Sequence, residues 1–521
     1  MRDGRAVAPA VAATEAMRVF AMTGWQRLLI ALSLMPALAL APACTRVVNP
    51  ATGQSELTAM SPAQERQLGR QQHPQVIVQF GGAYEDPALQ AYVAGIGERL
   101  AAVSELPDLD FTFTLLNSDV VNAFALPGGY VYVTRGLLAL ADDEAELAGV
   151  LAHEIGHVTA RHSAQRYSRG VLAQGGVVVG SILAGVLGGG AAADLAQQAG
   201  GAGAQAYLAG YSRDQEFQAD ELGVRYLARA GYDPAAMSSF LDKLGRNDAL
   251  ARRLAGREDA PDPASSWFAT HPRTPDRVLR AVEQASAATA GEGRIERERY
   301  LAAIDGMIYG EDPSQGFVRD GAFVHPELRF AFEAPPGFRL TNTPTAVIGQ
   351  GPDGLMRFDG ARVPQGQSMR DYVANDWARE LGSSGLRDVD AFEVGSLAAA
   401  SATAVGRLDD GRAVSVALAA IRADGDRVYR FIFVSPGRLS SAQARAYEGT
   451  VGSFRRLSAQ EAAAIRARRI EIVTVAPGQG VDDLARRMAV DALAREQFEV
   501  LNGLDPGQPL VPGQEVKLIV A

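Results

Sequence analysis

At 521 residues the chain is too long for a single core, since domains average roughly 150 residues, and three or four units are expected. Apolar residues at 47% and charged residues at 21% are globular proportions, which excludes a disordered or fibrous chain. A formal charge of −10 excludes nucleic acid as the main partner, because phosphate binding needs a basic face.

The first element is an address. Residues 28–45, LLIALSLMPALALAPACT, carry no charge and follow Arg18 and Arg27, the layout of a secretory signal that starts at Met1, Met17 or Met22. The stretch closes on Leu40-Ala41-Pro42-Ala43-Cys44, which resembles a bacterial lipobox and also satisfies ordinary signal peptidase through Ala41 and Ala43. Either cut falls before Cys44, and the outcomes differ in whether its sulfur carries a lipid. Cys44 is the only cysteine, and its position favours lipidation, with residues 1–43 as signal peptide and 44–61 as lipidated tether. An uncleaved anchor is the alternative. The same count rules out a disulfide framework and a thiolate-rich metal site, so a metal here would be held by His and carboxylates. Lys243 and Lys517 are the only lysines, which reads as compositional bias towards Arg.

Helical periodicity appears over 62–72 and 87–103. Residues 111–116 (FTFTLL) and 130–134 (YVYVT) read as strands, with Leu126-Pro127-Gly128-Gly129 as the turn between them. Asp143 is placed to cap a helix, Glu146 completes a capping box, and the helix is expected to continue to about Tyr167. In its middle stands His153-Glu154-Ile155-Gly156-His157. Two histidines four residues apart share one helix face and offer two ligands to a tetrahedral zinc, while Glu154 turns towards the open coordination position. With six histidines in the chain, chance would produce this pattern about 0.004 times. Residues 170–193 are uncharged and glycine-rich, long enough to span a membrane but better suited to a weakly helical lid.

Two histidines leave a zinc short of a third protein ligand. His162 points to another side of a continuous helix and suits a supporting or surface role. Glu216, in Glu216-Phe217-Gln218-Ala219-Asp220 on a helix expected over 207–230, is the candidate, and Asp220 one turn later can accept the ring N–H of a ligating histidine. Alone, this pentapeptide is an ordinary helix face. After Gly310 short β-rich pieces at 328–334, 346–350, 355–363, 414–421 and 427–434 accompany helical 369–381 and 441–454, so 311–457 is expected to be a separate α+β domain. A charged helical connector over 458–469 leads into 470–521, a βααβ unit.

HEIGHVTARH at 153–162, EFQAD at 216–220, NAFALPGGYVYVTRGLL at 122–138 and THPRTPDR at 270–277 together resemble the zinc metallopeptidase family of HtpX, the CAAX prenyl endopeptidases and BepA, and most of all its periplasmic, BepA-like branch. The resemblance implies a mainly α, zincin-like (gluzincin) core with a small β-sheet over 62–310. It implies one Zn²⁺ per chain held by His153, His157 and Glu216, with Glu154 as general base and Asp220 behind the ligands. It further implies that His271 is either a fourth ligand that keeps the enzyme latent or a group that serves the transition state, with Arg277 following it. Gly129, Tyr130 and Val131 would begin an edge strand that extended substrates join through main-chain hydrogen bonds. Residues 473–490 and 498–520 resemble a LysM module, which implies peptidoglycan as ligand, although Gln479-Gly480-Val481 departs from the usual Pro-Gly-Asp-Thr start. The implied protein is a zinc metalloendopeptidase of the periplasm, lipid-anchored to the outer membrane, that hydrolyses misfolded or unassembled envelope proteins. The alternative is a latent chaperone or assembly factor.

Overall fold

The computed structural model describes residues 45–173, 211–256, 271, 280, 283, 293–381, 385–407 and 412–521. The expected signal peptide, Cys44, residues 174–193 of the glycine-rich stretch and Arg277 lie outside them.

The chain enters through an antiparallel hairpin, β1 (Thr45–Val48) and β2 (Ser55–Thr58). Helix α1 (Pro62–Gln79) starts at a Ser61–Gln64 capping box and continues through Pro74, past the expected end, and α2 (Pro87–Ala101) follows an Asp86 cap. Three strands come next: β3 (Thr112–Leu116), β4 (Ala123–Leu126) and β5 (Tyr130–Thr134). The expected hairpin of two strands is therefore corrected. β4 intervenes, the Pro-Gly-Gly turn joins β4 to β5, and β3 and β5 are parallel.

After α3 (Arg135–Leu140) comes the helix that carries the paired histidines, α4 (Glu144–Thr159). Asp143 caps it by accepting from the Glu146 N–H at 2.9 Å, while the Glu146 carboxylate takes the Asp142 N–H at 2.8 Å. Every α4 residue except Val158 is buried. Burial on all sides is possible because small residues face the neighbours: a Cβ on Gly156 would meet the Ala219 carbonyl at 3.1 Å, and one on Gly223 the His153 backbone at 3.2 Å. The helix does not continue to Tyr167. It ends at Thr159, Arg161 adopts φ 57°, and α5 (His162–Ala173) restarts in a new direction. The Arg161 guanidinium anchors this break on Glu65 and the Met60 carbonyl. Helix α6 (Arg213–Ala230), capped by Ser212 and closed by Gly231 at φ 77°, packs across α4, followed by α7 (Ala236–Leu254) and α8 (Arg297–Ile304).

The next unit is built on antiparallel strands: β6 (Ile308–Tyr309), β7 (Phe317–Arg319), β8 (Ala322–His325), β9 (Phe330–Glu333), β10 (Arg339–Asn342), β11 (Val347–Gly351), β12 (Gly354–Arg362), β13 (Arg387–Val394), β14 (Leu397–Arg407), β15 (Ala413–Arg422) and β16 (Arg427–Pro436), then α9 (Ser441–Gly452) and β17 (Arg455–Arg456). A seven-stranded sheet, β10-β11-β12-β16-β15-β14-β13, is covered on one face by a helical segment over 369–380 whose middle, Tyr372–Trp377, is a π-helix. Its other face packs an aromatic core against α9 and the four-stranded sheet β17-β9-β8-β7.

The chain closes with α10 (Ala459–Ala464), β18 (Arg468–Thr474), α11 (Val481–Ala485), α12 (Ala494–Leu501) and β19 (Glu515–Val520). β18 pairs antiparallel with both β19 and β6. Ile470, Leu484, Phe498 and Leu518 share one hydrophobic cluster with Leu147 and Leu151 of α4. The last unit is thus packed into the first core. Among the described residues no helix is long and apolar enough to cross a membrane.

Candidate metal centre

Helix α4 presents His153 and His157, the facing helix α6 presents Glu216, and His271 reaches in from a distant point in the sequence. One ligand-capable atom from each lies within 4.8 Å of every other, and all four residues are buried. The separations are 3.0 Å between the two Nε2 atoms of His153 and His157, 3.2 Å from His153 Nε2 to His271 Nδ1, 3.1 Å from His271 Nδ1 to Glu216 Oε1, and 3.4 Å from that oxygen to His157 Nε2. Donors bonded to zinc at about 2.0–2.1 Å in a tetrahedron stand about 3.3 Å apart, so the residues present fit such an ion. Glu154 is buried beside them, its Oε1 3.4 Å from His271 Nε2.

Neighbours orient the rings. Asp220 Oδ1, one turn beyond Glu216, lies 2.9 Å from His153 Nδ1, which places the ring proton there and leaves Nε2 with its lone pair inward. His157 is set by a longer chain. Gln218 Oε1 accepts from His162 Nε2 at 2.9 Å, so a neutral His162 accepts at Nδ1 from His157 Nδ1 at 2.8 Å, and His157 Nε2 again faces inward as an acceptor. Tyr211 stacks on the His157 ring at 3.7 Å between centroids and 17° between planes. Burial disfavours the charged form of His153, but the Asp220 hydrogen bond and the charges of Glu216 and Glu154 outweigh it and hold its pKa above the ordinary value. For His157 burial prevails and pushes the pKa well below it. A ligating imidazole must be neutral, and the His157 environment favours that form.

The structure therefore brings together His153, Glu154, His157, Glu216, Asp220 and His271. It does not place Gly129, Tyr130 and Val131 on an edge. β5 is the middle strand in the order β3-β5-β4, and the Gly129 carbonyl already accepts from Thr112 N at 2.9 Å, so both backbone edges are used. The outer strand beside α4 is β4. His162 supports His157 because the break at Arg161 turns it back towards the ligand, which a continuous helix could not do. Gln218 lies inside the Glu216–Asp220 segment, but nothing in the sequence marks it as the partner of His162, and Tyr211 carries no sequence signal.

Two histidines one turn apart, a glutamate from a crossing helix and a neighbouring buried glutamate match the donor pattern of zinc metallopeptidases. Residues 87–285 match the model of Peptidase family M48. The beta-barrel assembly-enhancing protease of Yersinia pestis is 39% identical over 166 residues, 30% of this chain and 33% of that protein. The protein of that name from Escherichia coli K12 is 36% identical over 210 residues, 37% of this chain and 40% of that protein. The mitochondrial metalloendopeptidase OMA1 of Schizosaccharomyces pombe is 29% identical over 226 residues, 42% and 60% of the two chains. The match thus spans 40% or less of the length of these two assembly-enhancing proteases.

Proposed function

We propose that the chain is a zinc-dependent endopeptidase of the bacterial envelope that hydrolyses peptide bonds in misfolded or unassembled envelope proteins. The observation that carries this reading is the convergence of buried His153, His157, Glu216 and His271, one donor atom from each within 4.8 Å of the others, with Glu154 beside them. Relatives named for enhancing β-barrel assembly support the substrate class. Zinc, when bound, polarises a scissile carbonyl and makes water acidic enough to attack at neutral pH. Glu154 takes the water proton and delivers it to the leaving amine, which its buried carboxylate next to the donors suits. Asp220 and the His162–Gln218 pair hold the two ring nitrogens in place during the reaction.

His271 occupies the position a catalytic site leaves open for water, and its other nitrogen faces Glu154. This arrangement is a latent form, and withdrawal of His271 opens the site. An extended substrate would then lie along β4, the outer strand next to α4. We assign Arg277 to the segment that carries His271. Lipidation at Cys44 would tether the enzyme to the outer membrane in the periplasm. The loops 476–480 and 505–513, largely exposed, leave the LysM-like unit able to take a peptidoglycan strand.

The closed set of four donors equally favours a second reading, a latent chaperone that holds clients. Zinc content and casein cleavage by the full chain, its Glu154→Gln variant and its His271→Ala variant separate the two. The peptidase reading expects zinc in all three, cleavage lost in Glu154→Gln and kept or raised in His271→Ala. Zinc without cleavage in any form favours the chaperone, and absence of zinc overturns both.

A further inference from the structure

The chain's two lysines meet at one carboxylate. Lys517, on β19, is fully buried, and its ammonium donates to the carbonyls of Ala139, Leu140 and Ala141 at 3.0, 3.2 and 2.6 Å and lies 3.2 Å from Asp142 Oδ1. Lys243, on α7, reaches the same Oδ1 at 2.5 Å and donates to the Leu501 carbonyl at 3.3 Å. Beside it Arg246 donates to the Leu504 carbonyl. The capping is reciprocal. The peptidase lends cations to the C-terminal end of α12, and the last strand lends one to the C-terminal end of α3, where carbonyls lack helical partners.

The fit between the units is close at this point. A side chain on Gly503, at φ 64°, would place its Cβ 2.0 Å from Asp142 Oδ2, so the Asn-Gly-Leu turn of the C-terminal unit is shaped around a peptidase side chain. Arg297 adds a second bridge, donating to the Asp142 carbonyl at 2.8 Å and to that of Glu515 at 3.3 Å. Asp142 immediately precedes the Asp143 cap of α4, and its own N–H is held by Glu146 of that helix. From there to His153 is ten residues of buried helix, roughly 15 Å at 1.5 Å per residue.

We propose that Lys517 is a positioning residue for the metal centre, and that the C-terminal unit is a working part of the peptidase which fixes the start of the helix bearing His153, Glu154 and His157. This rests on the metallopeptidase reading of that site. A close-packed helix transmits a shift at its start to the ligands further along, and an ångström at a reacting centre is costly. The choice of lysine has a physical cause. Three carbonyls and a carboxylate converge on one point, which suits a compact ammonium with three donors and not a planar guanidinium. Every other basic residue except histidine is arginine, so lysine at these two positions runs against the composition.

The test uses the full, metal-loaded chain with Lys517→Met, Lys517→Arg and, as control, Val451→Ala, which removes a buried apolar side chain from the separate core of the β-rich unit. The readouts are amide exchange over 143–150, kcat and KM on casein, and the thermal midpoint. Lys517→Met is expected to speed exchange over 143–150 and lower kcat about ten- to a hundredfold with KM unchanged, and Lys517→Arg not to restore it. Val451→Ala is expected to lower the midpoint and leave kcat per metal-bound molecule unchanged. Unchanged exchange and kcat in Lys517→Met, or an equal fall of kcat in Val451→Ala, would overturn the proposal. Asp142→Asn, which keeps the shape and weakens both ammonium contacts, repeats the test should Lys517→Met not fold. If no form cleaves casein, the peptidase reading fails by itself, and exchange over 143–150 still decides whether Lys517 holds the helix.

Discussion

Helix α4 runs between two buried polar clusters of opposite character. At its start the carboxylates of Asp142, Asp143 and Glu146 face Lys243, Lys517 and Arg297, so opposite charges meet within the protein. Further along, three carboxylates, Glu154, Glu216 and Asp220, meet imidazoles whose protons are turned outwards by Asp220 and His162. Buried charge is costly unless it is matched. The first cluster is complete without a ligand and serves as architecture, whereas the second offers lone pairs and negative charge to one point and is completed by a cation.

The largest effect separating the two should come from Glu154→Gln. It should reduce hydrolysis by about 10²–10⁴-fold while zinc content and thermal midpoint stay within error, because only proton transfer is removed. Asp142→Ala should do the reverse. Leaving two buried ammonium groups without their carboxylate should destabilise the fold by about 3–5 kcal/mol in denaturant titration, with zinc still bound by the molecules that remain folded. A midpoint unchanged in Asp142→Ala would erase the distinction between the clusters.

A buried histidine far from both clusters sets the scale for pH effects. Burial, with a smaller contribution from Arg427, pushes the pKa of His325 in β8 down to about 4. The unfolded chain takes up its proton near pH 6.5 and the folded chain near 4, so between these values the unfolded state binds more protons. Stability should therefore fall as pH drops through this window, by about 3 kcal/mol at most. His325→Gln should flatten that slope. The smallest effect is expected from Asp220→Asn, which keeps all four donors but releases the His153 ring, and should weaken zinc binding roughly 10–100-fold in chelator competition.

What was legible in the sequence was what depends on local spacing. The i, i+4 histidines, Glu154 between them and the Glu216–Asp220 turn are each set by helical geometry, and the cap at Asp143 is chemistry within four residues. What was illegible depends on a break or on distant partners. His162 acts on His157 only because Arg161 takes a left-handed conformation secured by Glu65, nearly a hundred residues earlier. β5 looked free because nothing in YVYVT announces that β3 and β4 flank it. β14, with the helix-favouring run Ala398-Ala399-Ala400, is a strand because its neighbours β13 and β15 make it one. The two lysines look like composition in the sequence, yet their rarity is the signal of a cradle that arginine does not fit.

The most direct measurement is the zinc K-edge X-ray absorption spectrum of the full chain, compared with that of His271→Ala. The expected result is one zinc per chain with four light-atom neighbours at about 2.0–2.1 Å, three of them imidazoles, and one imidazole fewer in His271→Ala. Absence of bound zinc, or an all-oxygen shell without imidazole scattering, would contradict the account.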